Sequence, residues 1–437
     1  MQVNYWNKEI ETADRAEIEA IQLEKLQHII KAAFKTPFYS RHFKKLGIKS
    51  PRDIKTFEDF RKLPLVSKED LRRGYPNGFL AGENYDDVVR MHSSSGTTGI
   101  PTVIYWNRED LEAATDLVAR CLTAAGCTRS DIFQNMMSYG LFTGGLGLHY
   151  GAERLGMMVI PIGGGNTIRQ INTMRDFGTT TLHITPSYLM HLATAIKEHG
   201  IALETLSLKR AIVGAEPHTE ETRRKLEEIF NIDCYNCYGL SEMNGPGLAF
   251  ECVYKNGLHI WEDSYILEII DPATGELLPD GETGEVVVTC LNRRAMPLMR
   301  YRTRDLAHVY TDMCQCGRTH RRLSRIKGRT DDMLIINGVN VFPSQIEEVI
   351  MKIPEVGTNY MIHLTKSGAI DRLTVKVEIY SKMFSGDPVE LDILKDKISE
   401  ELRASIYIHP RVQLHEPGIL PTFEGKGKRV VDERGEF

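Results

Sequence analysis

No stretch of this chain runs for about 18 uninterrupted apolar residues, the length a helix needs to span a bilayer, so no membrane-crossing segment is expected. Its opening residues, Met1-Gln2-Val3-Asn4-Tyr5-Trp6-Asn7-Lys8-Glu9, lack the apolar core of a secretory signal, which predicts a cytoplasmic protein. Cysteine is sparse: eight in 437 residues are too few for a disulfide scaffold, and a reducing compartment keeps them as thiols. Clustered cysteines would therefore mean metal binding or catalysis. Excess positive charge is missing too, since 54 Lys and Arg face 59 Asp and Glu, for a net charge of -5. A dedicated nucleic-acid partner is excluded on that ground, because displacing counterions from phosphates needs a basic face. Repeats and low-complexity tracts are absent.

What remains is ordinary globular composition, 42% hydrophobic and 26% charged, in a chain long enough for two unequal domains. Ala16, Ala20, Leu23, Leu26, Ile30 and Ala33 recur at steps of three or four, predicting an amphipathic helix over 13–34. From Val103 onward β-rich runs alternate with helical ones. Strands are predicted at Val103 to Trp106, Ile132 to Met137, Met157 to Ile162, Thr181 to Thr185 and Arg210 to Val213, with helices near 108–125, 145–155, 168–177, 187–199 and 219–230. Such alternation implies βαβ units. Beyond Gly239 the chain turns β-rich, and after about residue 330 it reads as a compact α+β unit. The expected fold is thus α/β: a large N-terminal domain (1–330) with mainly parallel sheets and a β-rich subdomain, then a small, mobile C-terminal α+β domain (331–437).

The strongest local signal is Ser93-Ser94-Ser95-Gly96-Thr97-Thr98-Gly99-Ile100-Pro101-Thr102, small and hydroxyl residues just before a strand. Glycines let backbone N–H groups approach an anion and hydroxyls add neutral donors, a combination suited to a triphosphate. It is not a Walker loop, lacking the Gly-Lys-Ser/Thr ending. Followed in order by Gly214-Ala215-Glu216-Pro217, Tyr238-Gly239-Leu240-Ser241-Glu242 and Tyr301-Arg302-Thr303-Arg304-Asp305, the run resembles the adenylate-forming enzyme superfamily. Within it, Gly140-Leu141-Phe142-Thr143-Gly144-Gly145 and His149-Tyr150-Gly151-Ala152-Glu153 are most similar to phenylacetate-CoA ligases.

The resemblance implies an ATP-dependent acid:CoA ligase that forms an acyl-AMP from a small aryl carboxylic acid and then its thioester, using ATP, Mg²⁺ and coenzyme A. Ser94, Ser95, Gly96, Thr97, Thr98 and Gly99 would cradle phosphates, and Glu242 would hold Mg²⁺, an ion that prefers carboxylate and phosphate oxygens. Gly214, Ala215, Glu216 and Pro217 would form one wall of an adenine slot, and Tyr238 with Gly239 the other. Asp305 would accept from the ribose hydroxyls, with Arg329 adding a contact. Lys426, in Leu420-Pro421-Thr422-Phe423-Glu424-Gly425-Lys426, would be the catalytic cation at the α-phosphate. Asp331 matches the hinge, and Gly338 would line a pantetheine tunnel; both could equally be turn formers. Ile100 stands where many relatives carry lysine, which predicts weaker ATP affinity.

Beside the adenine slot, Tyr139, Phe142, Gly144 and Gly145 are expected to receive a flat aryl ring, although a Tyr and a Phe also serve as core residues. Cys252, His259, Cys314 and Cys316 offer three thiolates and an imidazole, a structural Zn²⁺ set, with His320 able to replace His259. Between Arg293 and Arg329, eleven Lys or Arg face two Asp, an excess that could attract CoA phosphates or simply form a solvated face. Two other functions compete: adenylyl transfer stopping at the AMP ester of a deazaflavin coenzyme, and a zinc-stabilised binding protein without turnover. A homodimer is one assembly open to such a chain.

Overall fold

The computed structural model describes residues 2–94, 100–367, 370–383, 388–423 and 427–435. Two compact units divide the chain: the first holds Met1–Gly163, Thr179–His183 and Tyr235–Arg325, the second Gly164–Gly178, Ile184–Cys234 and Ile326–Phe437. The second unit thus takes in, besides the C-terminal stretch, two segments that lie before residue 330.

In the first unit the predicted amphipathic helix is Arg15–Ala33, started by Asp14 accepting from Glu17 N and burying Ile18, Leu26, Ile29, Ile30 and Ala33. Asn107 caps the helix Arg108–Ala124 in the same way. Gly126 follows with φ +78, which a glycine adopts without strain. The strand Ile132–Asn135 pairs in parallel with Met158–Ile160 and with Thr181–Ile184, as βαβ alternation requires. From residue 235 the pairing turns antiparallel: Asp233–Leu240 with Gly245–Glu251, that strand with Leu258–Ile260, and so on to Arg322–Leu323 and Val309–Tyr310. Sheet pairing is therefore mixed rather than mainly parallel, because short turns, not helices, connect these later strands. A separate antiparallel set, Tyr265–Ile270, Gly284–Cys290 and Tyr301–Ala307, forms the β-rich part. Its first two strands are buried along their whole length, consistent with their continuous apolar runs.

The second unit contains the helices Thr167–Phe177, Pro186–Glu198 and Glu220–Phe230 and the strand Arg210–Gly214. Its C-terminal part has a hairpin, Leu334–Ile336 with Val339–Val341, and the long antiparallel pair Val356–Ser367 and Ile370–Ile379. That pair is flanked by parallel strands Arg411–His415 and Val430–Asp432 and joined by the helices Pro343–Met351 and Pro388–Ile406. The α+β reading after residue 330 holds for this stretch. Among the described residues no helix is long and apolar enough to cross a membrane.

Candidate active site and metal centre

Glu242 sits in a 3₁₀ turn, Ser241–Met243, where the chain reverses between two antiparallel strands. The reversal is tight at Gly239, where a Cβ would lie 1.9 Å from the Gly245 carbonyl oxygen, so only glycine fits. Buried at 5% exposure, the Glu242 carboxylate accepts from Thr102 Oγ1 at 3.2 Å. Thr102 Oγ1 in turn lies 2.7 Å from Ser94 Oγ, and Ser94 N donates to Thr102 O at 3.1 Å. The two ends of the hydroxyl-rich run are thus clamped together beside the predicted Mg²⁺ carboxylate. Ser95, Gly96, Thr97, Thr98 and Gly99 lie outside the described residues, and Ile100 is exposed. Sequence reasoning missed Arg293, which is fully buried and donates to Glu242 O (2.8 Å) and Asn244 Oδ1 (2.9 Å) while stacking over Trp106. It holds the turn by one backbone carbonyl and the Asn244 side chain.

Also in this unit, Tyr238 donates its hydroxyl to Asp305 Oδ2 at 2.5 Å, bringing together the predicted adenine wall and the ribose acceptor. Asp305 is 5% exposed, and its N–H donates to Thr303 Oγ1 at 3.1 Å.

The four expected acid-pocket residues cluster where the helix Thr143–Leu155 begins. Asn135, absent from the sequence prediction, is their hub: its Nδ2 donates to Tyr139 Oη and to Gly145 O, both at 2.8 Å, while its Oδ1 accepts from His183 Nδ1 at 2.9 Å. Phe142 is exposed, its ring lying over Gly144, where a Cβ would come within 2.5 Å of it. A Cβ on Gly145 would meet Ser138 O at 2.3 Å, so this glycine lets the helix start press onto the preceding loop. Burial pushes the Tyr139 hydroxyl up to about 12 and holds His183 down at about 3, neutral at ordinary pH.

The expected zinc ligands converge. Ligand atoms of Cys252, His259, Cys314 and Cys316 all lie within 4.8 Å of one another, and all four residues are buried. Cys252 and Cys314 sulfurs are 3.7 Å apart, and Cys316 Sγ is 3.3 Å from His259 Nε2. A tetrahedral zinc site has ligand–ligand edges of roughly 3.5 to 3.8 Å, so the donor set and its spacing fit that ion, whereas a disulfide needs about 2.05 Å. The imidazole is oriented by its other nitrogen, His259 Nδ1, 3.3 Å from the His320 carbonyl. His320 itself is committed elsewhere: Nδ1 accepts from Glu262 N at 2.8 Å and Nε2 donates to Ile10 O at 2.9 Å. His259, not His320, completes the set. Hydrogen bonds with Cys252, then Cys314, drive the Cys316 thiol well below its ordinary value, while those with Cys314 and Cys316 drive Cys252 above its own.

This Cys/His group is tied to residues 4–13. Tyr5 donates its hydroxyl to Cys316 O at 2.6 Å. Arg318, 1% exposed, donates Nε to Glu11 Oε2 and Nη2 to Asn4 O, each at 2.6 Å. Glu11, 0% exposed, also accepts from the N–H groups of Trp6 (2.8 Å) and Asn7 (2.7 Å). Four of the eleven basic residues of the arginine-rich stretch are not solvated: Arg293, Arg300, Arg318 and Arg322 are buried, with Arg300 forked onto Glu268 at 3.1 Å, whereas Arg294 is exposed and Arg304 half-buried. Each of the buried four is consumed by an internal acceptor, which removes them from any role in drawing CoA phosphates.

In the second unit, Gly214-Ala215-Glu216-Pro217 leaves the strand Arg210–Gly214 through a turn with Ala215 at φ +68. The Glu216 carboxylate accepts from Ser187 N at 2.6 Å and Gly427 N at 2.7 Å. Burial pushes it above the usual carboxylate range, opposed by hydrogen bonds from Ser187 and Gly427. Arg329 forks onto Asp331, at 2.9 and 3.0 Å, so the expected ribose contact and hinge residue are partners. Asn337 and Gly338, at φ +48 and +82, form the two-residue turn of the hairpin, a conformation that calls for glycine on its own account. Lys426 lies outside the described residues.

Residues 49–290 match the family model described as AMP-binding enzyme. The chain belongs to that family. A second AMP-binding enzyme model, the C-terminal domain, matches residues 338–434. Among relatives of this AMP-binding enzyme, the phenylacetate-coenzyme A ligase of Thermus thermophilus is 42% identical over 98% of this chain and 99% of its own length. That of Pseudomonas putida is 44% identical over 97% of this chain and 96% of its own. Among solved structures, 2-hydroxyisobutyryl-CoA ligase in the postadenylation state with an acyl-AMP gives a TM-score of 0.92 at 28% identity, covering 98% of this chain and 92% of that one. The adenylate-forming fold, a large α/β part with mixed sheets and a small C-terminal α+β part, is therefore the fold of this AMP-binding enzyme.

Proposed function

We propose that this AMP-binding enzyme is an acid:CoA ligase acting on an aryl acetate, phenylacetate first among them. The buried Glu242, hydrogen-bonded to Thr102 where the hydroxyl-rich run closes, carries this reading. The full-length likeness to phenylacetate-coenzyme A ligases supports the acid. In the first half-reaction a carboxylate oxygen attacks the α-phosphorus of ATP and pyrophosphate leaves. In the second, the CoA sulfur attacks the acyl carbonyl and AMP leaves.

Glu242 is the residue that would hold Mg²⁺, and the neighbouring hydroxyls make an oxygen-rich setting suited to it. Bound there, the ion neutralises phosphate charge as anion meets anion. Tyr238 and Asp305 receive the nucleoside, and Tyr139, Phe142, Gly144 and Gly145 the aryl group. Lys426 supplies a cation at the α-phosphate. Asp331 is the hinge of a C-terminal domain that begins at residue 331, and Gly338 faces pantetheine. Cys252, His259, Cys314 and Cys316 would hold a structural Zn²⁺ with no part in the chemistry.

A panel of carboxylic acids is to be tested for acid-dependent exchange of pyrophosphate into ATP, then for thioester on adding CoA. Phenylacetate should support both. No exchange with any acid would sink the ligase reading, and exchange without thioester would favour adenylyl transfer. Lys426→Ala should abolish exchange yet leave thioester formation from supplied acyl-AMP largely intact.

A further inference from the structure

Within the second unit, the C-terminal stretch is seated on residues 187–225 by polar contacts from several directions. Glu216 bridges two backbone donors far apart in sequence, Ser187 N at 2.6 Å and Gly427 N at 2.7 Å. Ser187 lies in the first turn of the helix Pro186–Glu198. Arg429 reaches Ser187 Oγ at 3.3 Å and Tyr360 O at 3.1 Å, and its guanidinium stacks 4.3 Å over the Tyr360 ring. Glu347 accepts from Thr219 N at 3.2 Å, from Tyr360 Oη at 2.9 Å and from the Thr222 hydroxyl. Gly427 is the close-approach point: a Cβ there would lie 2.8 Å from Ser187 Oγ.

The Glu216 carboxylate thus has a task beyond any part its main chain plays in a slot wall. An adenine ring lies against small, flat surfaces, whereas this carboxylate spends both oxygens on amide donors. Gly427 directly follows Lys426 in the chain, so an anchor on the Gly427 amide bears on the residue proposed as the catalytic cation. We infer that Glu216 is a positioning residue for the first half-reaction, anchoring the chain immediately after the catalytic lysine to the start of the helix Pro186–Glu198. This rests on the ligase reading and on the role proposed for Lys426. It separates the two half-reactions: adenylation needs the anchor, and acyl transfer to CoA does not.

Two variants test it, Glu216→Gln, which replaces one acceptor by a donor, and Gly427→Ala, which inserts a methyl group at the contact. Losing a charged hydrogen bond that holds the geometry should lower kcat for pyrophosphate exchange about 10- to 100-fold. The KM for ATP should stay near wild type, and so should thioester formation from supplied acyl-AMP. Trypsin cleavage after Lys426 and Lys428 should accelerate in both variants, a readout independent of any acid. A raised KM for ATP with unchanged kcat in Glu216→Gln would overturn the inference in favour of an adenine contact, as would unaltered cleavage rates. If wild type exchanges with no acid the ligase reading fails, while the trypsin comparison still decides the anchor.

Discussion

Replacing Arg318 by methionine should release the first dozen residues from the body of the protein. The Glu11 carboxylate and the Arg318 guanidinium are both sealed from water, at 0% and 1% exposure, and meet at 2.6 Å. Methionine fills much of the arginine volume but leaves the carboxylate with only its two backbone donors, from Trp6 and Asn7. Removing one member of a buried pair costs about 3–5 kcal/mol, because the remaining charge is desolvated without compensation. The contact from Arg318 to Asn4 O is lost as well. A penalty of that size raises the population of the locally open state by about 10² to 10³·⁵, at roughly 1.4 kcal/mol per decade. The Trp6 and Asn7 amides donate to Glu11, so hydrogen–deuterium exchange of the peptide containing them reads this opening directly. Their exchange should speed up by two decades or more, and zinc added to the Cys252, His259, Cys314 and Cys316 group should be lost faster to a chelator. Glu11→Gln combined with Arg318→Met should recover part of the protection, since no bare charge then remains buried. An exchange rate within fivefold of wild type, or a double variant no better than the single one, would refute the reasoning.

Three further outcomes follow from the same kind of accounting. His183 is held neutral by burial, at about 3 against an ordinary 6.5, so the unfolded chain binds a proton that the folded one refuses. Stability should therefore fall as pH drops below 6.5 toward 3, by about 1.4 kcal/mol per unit from this residue alone. Urea midpoints measured across that range should flatten in His183→Gln; an unchanged profile would assign the acid sensitivity elsewhere. Gly239→Ala should cut pyrophosphate exchange at least about 100-fold, since its methyl group would sit 1.9 Å from a backbone oxygen and force the Glu242 turn open. Gly338→Ala, at φ +82 but with open space around it, should cost only about 1 kcal/mol, which thermal melts of both variants can compare.

Elements that depend on local chemistry were legible before any coordinates. The helical spacing read over 13–34 and found at 15–33, and the βαβ alternation of 132–184, lie within short windows where neighbouring residues decide the outcome, whereas the cap Asp14 was seen only in the structure. Pairings that depend on distant partners were not. Nothing near Arg318 foretells Glu11, 307 residues away, so a run of arginines could be read as a phosphate-attracting patch or a solvated face when part of it is paired in the interior. The same blindness left His320 open as a replacement for His259, since only the partners of each ring tell the ligand from its support. Glu216 was legible as part of a motif but not as an anchor, because Gly427 carries no side chain to announce a contact. The parallel strand Val430–Asp432 was overlooked because three residues are too short for an alternating pattern.

The tie between the beginning of the chain and the Cys314–His320 loop also sets an order of events during synthesis. Tyr5, Ile10, Glu11 and Ala13 find their partners at Cys316, His320, Arg318 and Thr319, none of which exists until some three hundred further residues have been made. At translation rates of about 5–20 residues per second, these residues wait roughly 15–60 s for the partners they need. Residues 5–13 are thus made early yet among the latest to settle, and a reporter placed in that segment would time the completion of this unit rather than its onset.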